Sequence, residues 1–374
     1  MSGEQQLWQG KRVLITGHTG FKGTWLGLWL RMLGAEVVGY SDEMPSAPAM
    51  YRLCGFEHDM PWVRGDVRDG DRLQQAVRDA KPDIVFHLAA QPLVRRSYAE
   101  PAETFEINVN GTANVLNSVR LQPSVRAAVI VTSDKCYAGT ASGNGFVESD
   151  PLGGMDPYSA SKACAELTVE AYRHSYFSDG SGNASIATAR AGNVIGGGDF
   201  AEDRIVPDMV RAVQSGQSIR LRRPDAIRPW QHVLEPLSGY MRLAERLYLN
   251  GSNYAEAWNF GPSADQDMTV QELAGRMAAK LGAQPPSVPD AGTPLEGPYE
   301  APVLRLDSTK ARIRLGWQPV WHTDEAIDHT ASWYERWFKG APMREIAMRQ
   351  IRQYEAAAAM LRAATESGDP GDEQ

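Results

Sequence analysis

Short apolar runs alternate, through the first half of the chain, with stretches whose apolar positions recur every three or four residues. The runs "KRVLIT", "EVVGY", "DIVFHLA" and "AAVIVTS" have almost no polar position between their ends. That pattern marks strands buried on both faces, since a half-exposed strand would alternate. The intervening periodicity predicts helices over 24–33, 71–80 and 103–120. Strand and helix in strict turn predict a parallel sheet with helices on both sides. "SIATARAGNVIG" predicts the last strand of this part.

Beyond Gly198 the pattern changes. Elements shorten, prolines multiply and arginines cluster, as in "RIVPDMVRAVQSG" and "IRLRRPDAIRPWQHV". The expected division is a first part over 1–190 and a smaller C-terminal lobe over 191–374. Proline and glycine over 284–302 predict an irregular loop. A helical pattern covers 344–364, and the final "ESGDPGDEQ" predicts disorder. No internal repeat is present, and 374 residues are too many for one compact core.

Composition narrows the function classes. A net charge of -8 argues against a nucleic-acid groove. No apolar run approaches the ~20 residues that span a bilayer. The opening "MSGEQQLWQGKR" lacks the apolar core of an export signal, so a cytoplasmic protein is expected. Cys54, Cys136 and Cys164 are far apart and form no CxxC pair, which fits a reducing compartment. The seven histidines have no metal-ligand spacing, and no metal is expected.

The first specific chemistry lies in "TGHTGFKGTWLGLWL". A strand runs into Gly17, Gly20 and Gly23 and a helix follows at once. Glycines permit a tight turn and close backbone approach, and a helix N-terminus favours an anion. A dinucleotide pyrophosphate is the natural occupant, held at Gly17, Gly20, Phe21 and Gly23. The fold class is therefore α/β, a doubly wound parallel sheet of the Rossmann type. "GDVRD" offers Asp66 and Val67 to an adenine. "HLAA" ends a strand with Leu88, Ala89 and Ala90, which lets a cofactor lie against backbone. Ser41, Asp42 and Glu43 after the second strand suit ribose hydroxyls and repel a 2′-phosphate, so NAD is expected rather than NADP. Lys22, inside the glycine turn, is the one charge that dissents.

"YSASK" puts Tyr158 and Lys162 four apart on one helix face. A lysine beside a phenol is expected to lower the phenol's pKa from about 10. The tyrosinate can then take a proton from a hydroxyl while hydride leaves the same carbon. "VIVTSDKCY" brings Ser133, Asp134 and Lys135 to the C-terminal end of a strand, where parallel sheets keep their active sites. Asn108 in "NVNGT" adds a polar group from the preceding helix.

These motifs together resemble the extended short-chain dehydrogenase/reductase family, in its nucleotide-sugar branch, from about residue 10 to residue 340. The resemblance is strongest to the CDP-D-glucose 4,6-dehydratase group, through "GHTGFKGTWL", "TSDKCY" and "IRPWQHVLEPLSGY". It implies NAD and a nucleotide-sugar substrate lying across the sheet domain and the C-terminal lobe. Its catalytic residues would be Ser133, Asp134, Lys135, Tyr158, Lys162 and Asn108, with Tyr158 and Lys162 also on the cofactor. Gln91, Asn193, Arg204, Arg228 and Arg305 would meet the substrate. Relatives that use dTDP-glucose carry Thr-Asp-Glu where this chain has Ser133-Asp134-Lys135. In the implied mechanism Lys135 acts as a neutral base and Asp134 as a protonated acid. Whether Lys135 is base, acid or both stays open, as does an epimerase or a dehydratase of another nucleotide. A homodimer through helices over 104–120 and 159–174 is also implied.

Overall fold

The five predicted strands, with one short strand the pattern did not mark (β3), form six parallel strands: β1 (Arg12–Thr16), β2 (Glu36–Ser41), β3 (Trp62–Arg64), β4 (Ile84–His87), β5 (Ala127–Val131) and β6 (Ser185–Arg190). The computed structural model describes residues 7–141, 145–178, 183–288 and 303–367. A seventh strand, Ala257–Asn259, joins the edge, so the order is that edge strand, then β6-β5-β4-β1-β2-β3. Every pair is parallel. Neighbouring positions of one strand serve opposite faces: Val13 and Ile15 join one apolar cluster, Leu14 between them joins the other. Each such fully buried Leu or Ile contributes about 1.5–3 kcal/mol.

The chain leaves β1 toward β2 and β3, then returns to β4 on the other side of β1. Loops at the C-terminal ends of β1 and β4 therefore diverge to opposite faces. This opens a crevice in the place where open α/β sheets bind ligands.

The helices that matter here are α1 (Phe21–Met32), α2 (Gly70–Ala80), α3 (Gly111–Leu121), α4 (Pro157–Tyr176), α5 (Ile205–Ser215), α6 (Leu234–Asn250), α7 (Val270–Leu281), α8 (Thr323–Phe338) and α9 (Met343–Ser367). Two of these helices and one strand differ from their sequence expectation. α1 starts at Phe21, directly on the glycine turn, because Gly20 serves as its N-cap. The long helix over 103–120 is interrupted: a π turn at Glu106–Asn110 separates Pro101–Phe105 from α3 and widens the helix at Asn108. "SIATARAGNVIG" splits, because Asn193 has φ 49 and turns the chain out of the sheet. Val194–Ile195 then pairs with Gln231–His232 in a separate ribbon. Residues 289–302, most of the expected irregular loop, and 368–374, most of the expected disordered tail, lie outside the described residues.

The C-terminal half is built onto the sheet. It supplies the edge strand, α6 packs on β5 and β6, and one apolar cluster runs from Val13 to Tyr354. Glu235, at the start of α6, is 1% exposed. Its carboxylate accepts from the backbone of Val320 and Trp321 and from the Tyr354 hydroxyl on α9. Burial pushes its pKa from 4.5 up to about 7, although those three donors pull it down. The folded state thus holds this proton more tightly than the unfolded chain does. The resulting stability is fully present below 4.5 and is lost as pH rises through about 7. Glu235→Gln, a mimic of the protonated form, should lack this fall. The wild-type Tm minus the variant Tm should decrease across that window in thermal melts, and a difference independent of pH would refute the assignment.

Candidate active site

One cleft of about 1820 Å³ runs along the C-terminal ends of the strands and between the sheet and the C-terminal half. Its floor at one end is the glycine turn. Gly17 has φ 73, and a Cβ there would lie 2.6 Å from the Ala89 nitrogen. A Cβ on Gly23 would lie 2.2 Å from the Gly17 carbonyl oxygen. The bare backbone of Gly17 is what lets β1 and β4 close on each other, and Gly23 seats α1 on the turn. Phe21, Asp66, Val67 and Leu88 to Gln91 line the same part of the cleft.

Asp42 and Glu43 stand beyond β2, as expected, and the strand pairing adds an arginine that sequence distance concealed. Arg64 faces Ser41 in register, and its Nε donates to the Asp42 carbonyl at 2.8 Å. Asp66 is held low by its hydrogen bonds and ion pair with Arg68, against the effect of its burial. Lys22, the dissenting charge, points elsewhere. Its ammonium lies 3.4 Å from the Tyr240 hydroxyl, close enough to Asp134, Arg204 and Lys162 to interact with their charges. Burial, with Arg204 and Lys162 as like charges, lowers it to about 7.

Ser133, Asp134 and Lys135 follow β5 and face Tyr158 and Lys162 of α4 across the cleft. Ser133 Oγ donates to Asp134 Oδ1 at 3.0 Å and accepts from the Lys135 backbone at 3.2 Å. Asp134 is buried, and its Oδ2 has no hydrogen-bond partner among the described residues. It occupies the space a side chain at 192 would need: a Cβ on Gly192 would lie 1.8 Å from Oδ2.

The expected effect of Lys162 on Tyr158 is not what the geometry gives. Burial pushes Tyr158 up to about 12, opposed by a hydrogen bond with Ser133 and by the charge of Arg204. Lys162 Nζ lies 3.5 Å from the Val131 carbonyl instead. Its own pKa falls to about 8 through burial, partly offset by Glu166.

Asn108 and Gln91 come together as a brace. Asn108 donates to Ser161 Oγ on α4 and to the Gln91 carbonyl, and accepts from the Gln91 backbone. The Gln91 side chain is spent on Thr104 and on the Leu93 backbone. Only Gln91 of the two lines the cleft. The π turn is what aims Asn108 at α4.

Toward the C-terminal half, Asn193, Arg204 and Arg228 line the cleft. The buried Asn193 amide nitrogen has no partner among the described residues. Arg204 is paired with Asp199 at 2.9 Å. Arg305 is not among the lining residues; its guanidinium is engaged by Asp267. Arg95, Arg211 and Arg222 line the cleft and escaped the sequence reading. For Arg222 the arginine-rich run "IRLRRPDAIR" was the available signal, but it does not say which side chains turn inward; Arg95 and Arg211 lie outside it.

This fold and this cleft define a dinucleotide-dependent enzyme of the short-chain dehydrogenase/reductase type. The chain belongs to the GDP-mannose 4,6 dehydratase family, whose model matches residues 14–330. It is 44% identical over 360 residues to a CDP-glucose 4,6-dehydratase of Salmonella typhimurium, covering 95% of this chain and 99% of that one. A dTDP-glucose 4,6-dehydratase of Xanthomonas campestris pv. campestris is 26% identical over 349 residues, 87% of this chain and 95% of that one. Among solved structures, the dTDP-glucose 4,6-dehydratase DesIV of Streptomyces venezuelae, with NAD bound, superposes with a TM-score of 0.73. It shares 25% identity and covers 89% of this chain and 99% of its own.

The Gly192–Asp134 approach is testable directly. Gly192→Ala should displace the Asp134 carboxyl or force the 191–193 turn away from β5. A crystal structure of the variant with both unmoved would show that the space is not limiting.

Proposed function

We infer that the protein is an NAD-dependent CDP-glucose 4,6-dehydratase, converting CDP-glucose to CDP-4-keto-6-deoxy-D-glucose. The observation that carries this reading is the near-full-length 44% identity to such an enzyme, joined to one cleft that holds the glycine turn and the Ser133, Asp134, Lys135, Tyr158 and Lys162 cluster. In this reading residues 1–190 hold the cofactor and residues 191–374 mainly the nucleotide sugar.

The glycine turn fits a dinucleotide: it opens directly into the N-terminus of α1, and a Cβ on Gly17 or Gly23 would collide with backbone. Gly17, Gly20, Phe21 and Gly23 would hold the pyrophosphate. Asp66 and Val67 would meet the adenine, and Leu88, Ala89, Ala90, Tyr158 and Lys162 the nicotinamide half. NAD held there would supply the acceptor for the C4 hydride and the source of hydride for C6.

Tyr158 takes the proton of the C4 hydroxyl. With its pKa at about 12 the phenol needs positive charge beside it to do so. Arg204 already favours the phenolate. Lys162, cationic at neutral pH with its pKa near 8, is placed one helical turn away to add to it. Ser133 hydrogen-bonds the same hydroxyl and steadies the ketone. The ketone acidifies C5, and Lys135 is the base that removes that proton. Asp134 is the acid toward the departing C6 hydroxyl, from the position that Gly192 leaves open. Asn108 and Gln91 position Ser161 and α4. Asn193, Arg204 and Arg228, with Arg95, Arg211 and Arg222, form the cationic and polar wall for the diphosphate and sugar.

No helix among the described residues is long and apolar enough to cross a membrane. A cytoplasmic homodimer follows the resemblance, and α3 and α4 expose Leu121, Leu167 and Tyr176 for such contact. Leu167→Glu should sediment as a monomer where the wild type sediments as a dimer. A monomeric wild type removes the dimer.

Incubation with CDP-, dTDP-, GDP- and UDP-glucose should give the alkali-absorbing ketone with CDP-glucose first. A C4 epimer without that ketone would replace the reading with an epimerase. Tyr158→Phe should fail to reduce bound cofactor in a single turnover. Lys135→Met should reduce it and stall before water leaves, losing ~10²–10⁴-fold in dehydration. Dehydration by Lys135→Met at the wild-type rate would place the base elsewhere.

A further inference from the structure

Behind the reacting groups lies a buried ion pair that the mechanism above does not use. Glu166 stands one turn beyond Lys162 on α4, and Arg190 ends β6. Both side chains are 3% exposed, and Arg190 Nη2 donates to Glu166 Oε2 at 2.8 Å. The catalytic turn is fastened to this pair at both ends. Thr132, the residue before Ser133, donates its hydroxyl to Glu166 Oε1. Tyr137, two residues after Lys135, accepts at its hydroxyl from Arg190 Nη1 at 2.7 Å. Thr188 adds a third donor to Glu166 at 2.7 Å. The Tyr137 hydroxyl passes its own proton to Asn259 of the edge strand at 2.7 Å, and its ring stacks on Phe146 at 4.6 Å.

A buried ion pair adds little stability beyond an apolar pair of the same volume. What this one adds is direction. The turn over 133–136 cannot move at either end without breaking a buried hydrogen bond to a charged group, the kind most costly to lose. Glu166 also sits in the electrostatic surroundings of Lys162. The groups that share its field are Lys22 on α1, His87 on β4, Cys136 in the turn and Glu166 on its own helix. His87 is kept neutral at neutral pH, since burial lowers it to about 3. The Cys136 thiol is pushed well up by burial and stays protonated. Glu166 is therefore the carboxylate that offsets the burial of the lysine.

We propose that Glu166 and Arg190 are positioning residues of the catalytic centre: Thr132 and Tyr137 anchor the Ser133–Lys135 turn on them, and Glu166 supplies the negative charge beside Lys162. This rests on the reading of that turn and of Lys162 as catalytic. The test is a double variant, Glu166→Gln with Arg190→Met, which removes both charges and leaves no buried ion alone. The Lys162 titration is followed by NMR of Cε-labelled lysine in substrate-free protein, its signal identified by its loss in Lys162→Arg. In the double variant the midpoint should fall below that of the wild type. Turnover should fall ~10²-fold with KM little changed, as expected of a displaced catalytic group. Thr132→Val, which keeps the ion pair, should lower kcat and leave the Lys162 midpoint in place. An unmoved midpoint in the double variant, or Thr132→Val turning over at the wild-type rate, overturns the proposal. Because the titration is read without substrate, its outcome stands apart from whether CDP-glucose is turned over.

Discussion

The close approach of β1 to β4 at the glycine turn is the constraint on which the rest depends. Thr16 and His87 are paired in register, with Thr16 Oγ1 2.7 Å from His87 Nδ1. One residue later Gly17 lies so near Ala89 that no Cβ fits between them. That contact fixes the turn from which α1 starts. The reversal of strand order at the same place sends the neighbouring loops apart, and the cleft follows from the two together.

Burial then decides the electrostatics. The cleft takes phenol and ammonium groups partly out of water, which raises Tyr158 and lowers both Lys162 and Lys22 toward neutrality. The two ammonium groups are thereby poised for proton transfer, whereas the phenol stays protonated unless positive charge lies beside it. The compensating charges have different origins: Arg204, distant in sequence, for Tyr158, and Glu166, one turn along the same helix, for Lys162. The C-terminal half is held to the sheet by similar means, since Glu235 gathers two backbone amides and the Tyr354 hydroxyl in a buried site.

Much of this was legible in the chain. Apolar runs marked five of the seven sheet strands; the three-residue β3 was not read as a strand, and the short edge strand Ala257–Asn259 lay inside a segment read as lobe. The glycine spacing, "YSASK" and "TSDK" placed Gly17, Gly23, Tyr158, Lys162, Ser133, Asp134 and Lys135, and all of them line one cleft. Lys22 was read as a charge against NAD, yet its ammonium lies at the opposite end, beside Tyr240. Asn108 was read as a polar group near the chemistry. The π turn makes it a brace, because an extra residue in a helix rotates the side chains that follow.

The sequence by itself determined what depends on neighbours along the chain: strand against helix, the φ that only glycine tolerates, and the four-residue spacing that puts Tyr158 and Lys162 on one face. The fold decided what depends on neighbours across space. Arg64 reaches Asp42 through strand register, Arg305 is taken by Asp267, and Glu166 meets Arg190, Thr132 and Thr188. The reason is physical. Local sterics and periodicity act over a few residues and are written in their order, whereas charge partners and desolvation depend on distances that exist only once the chain has packed.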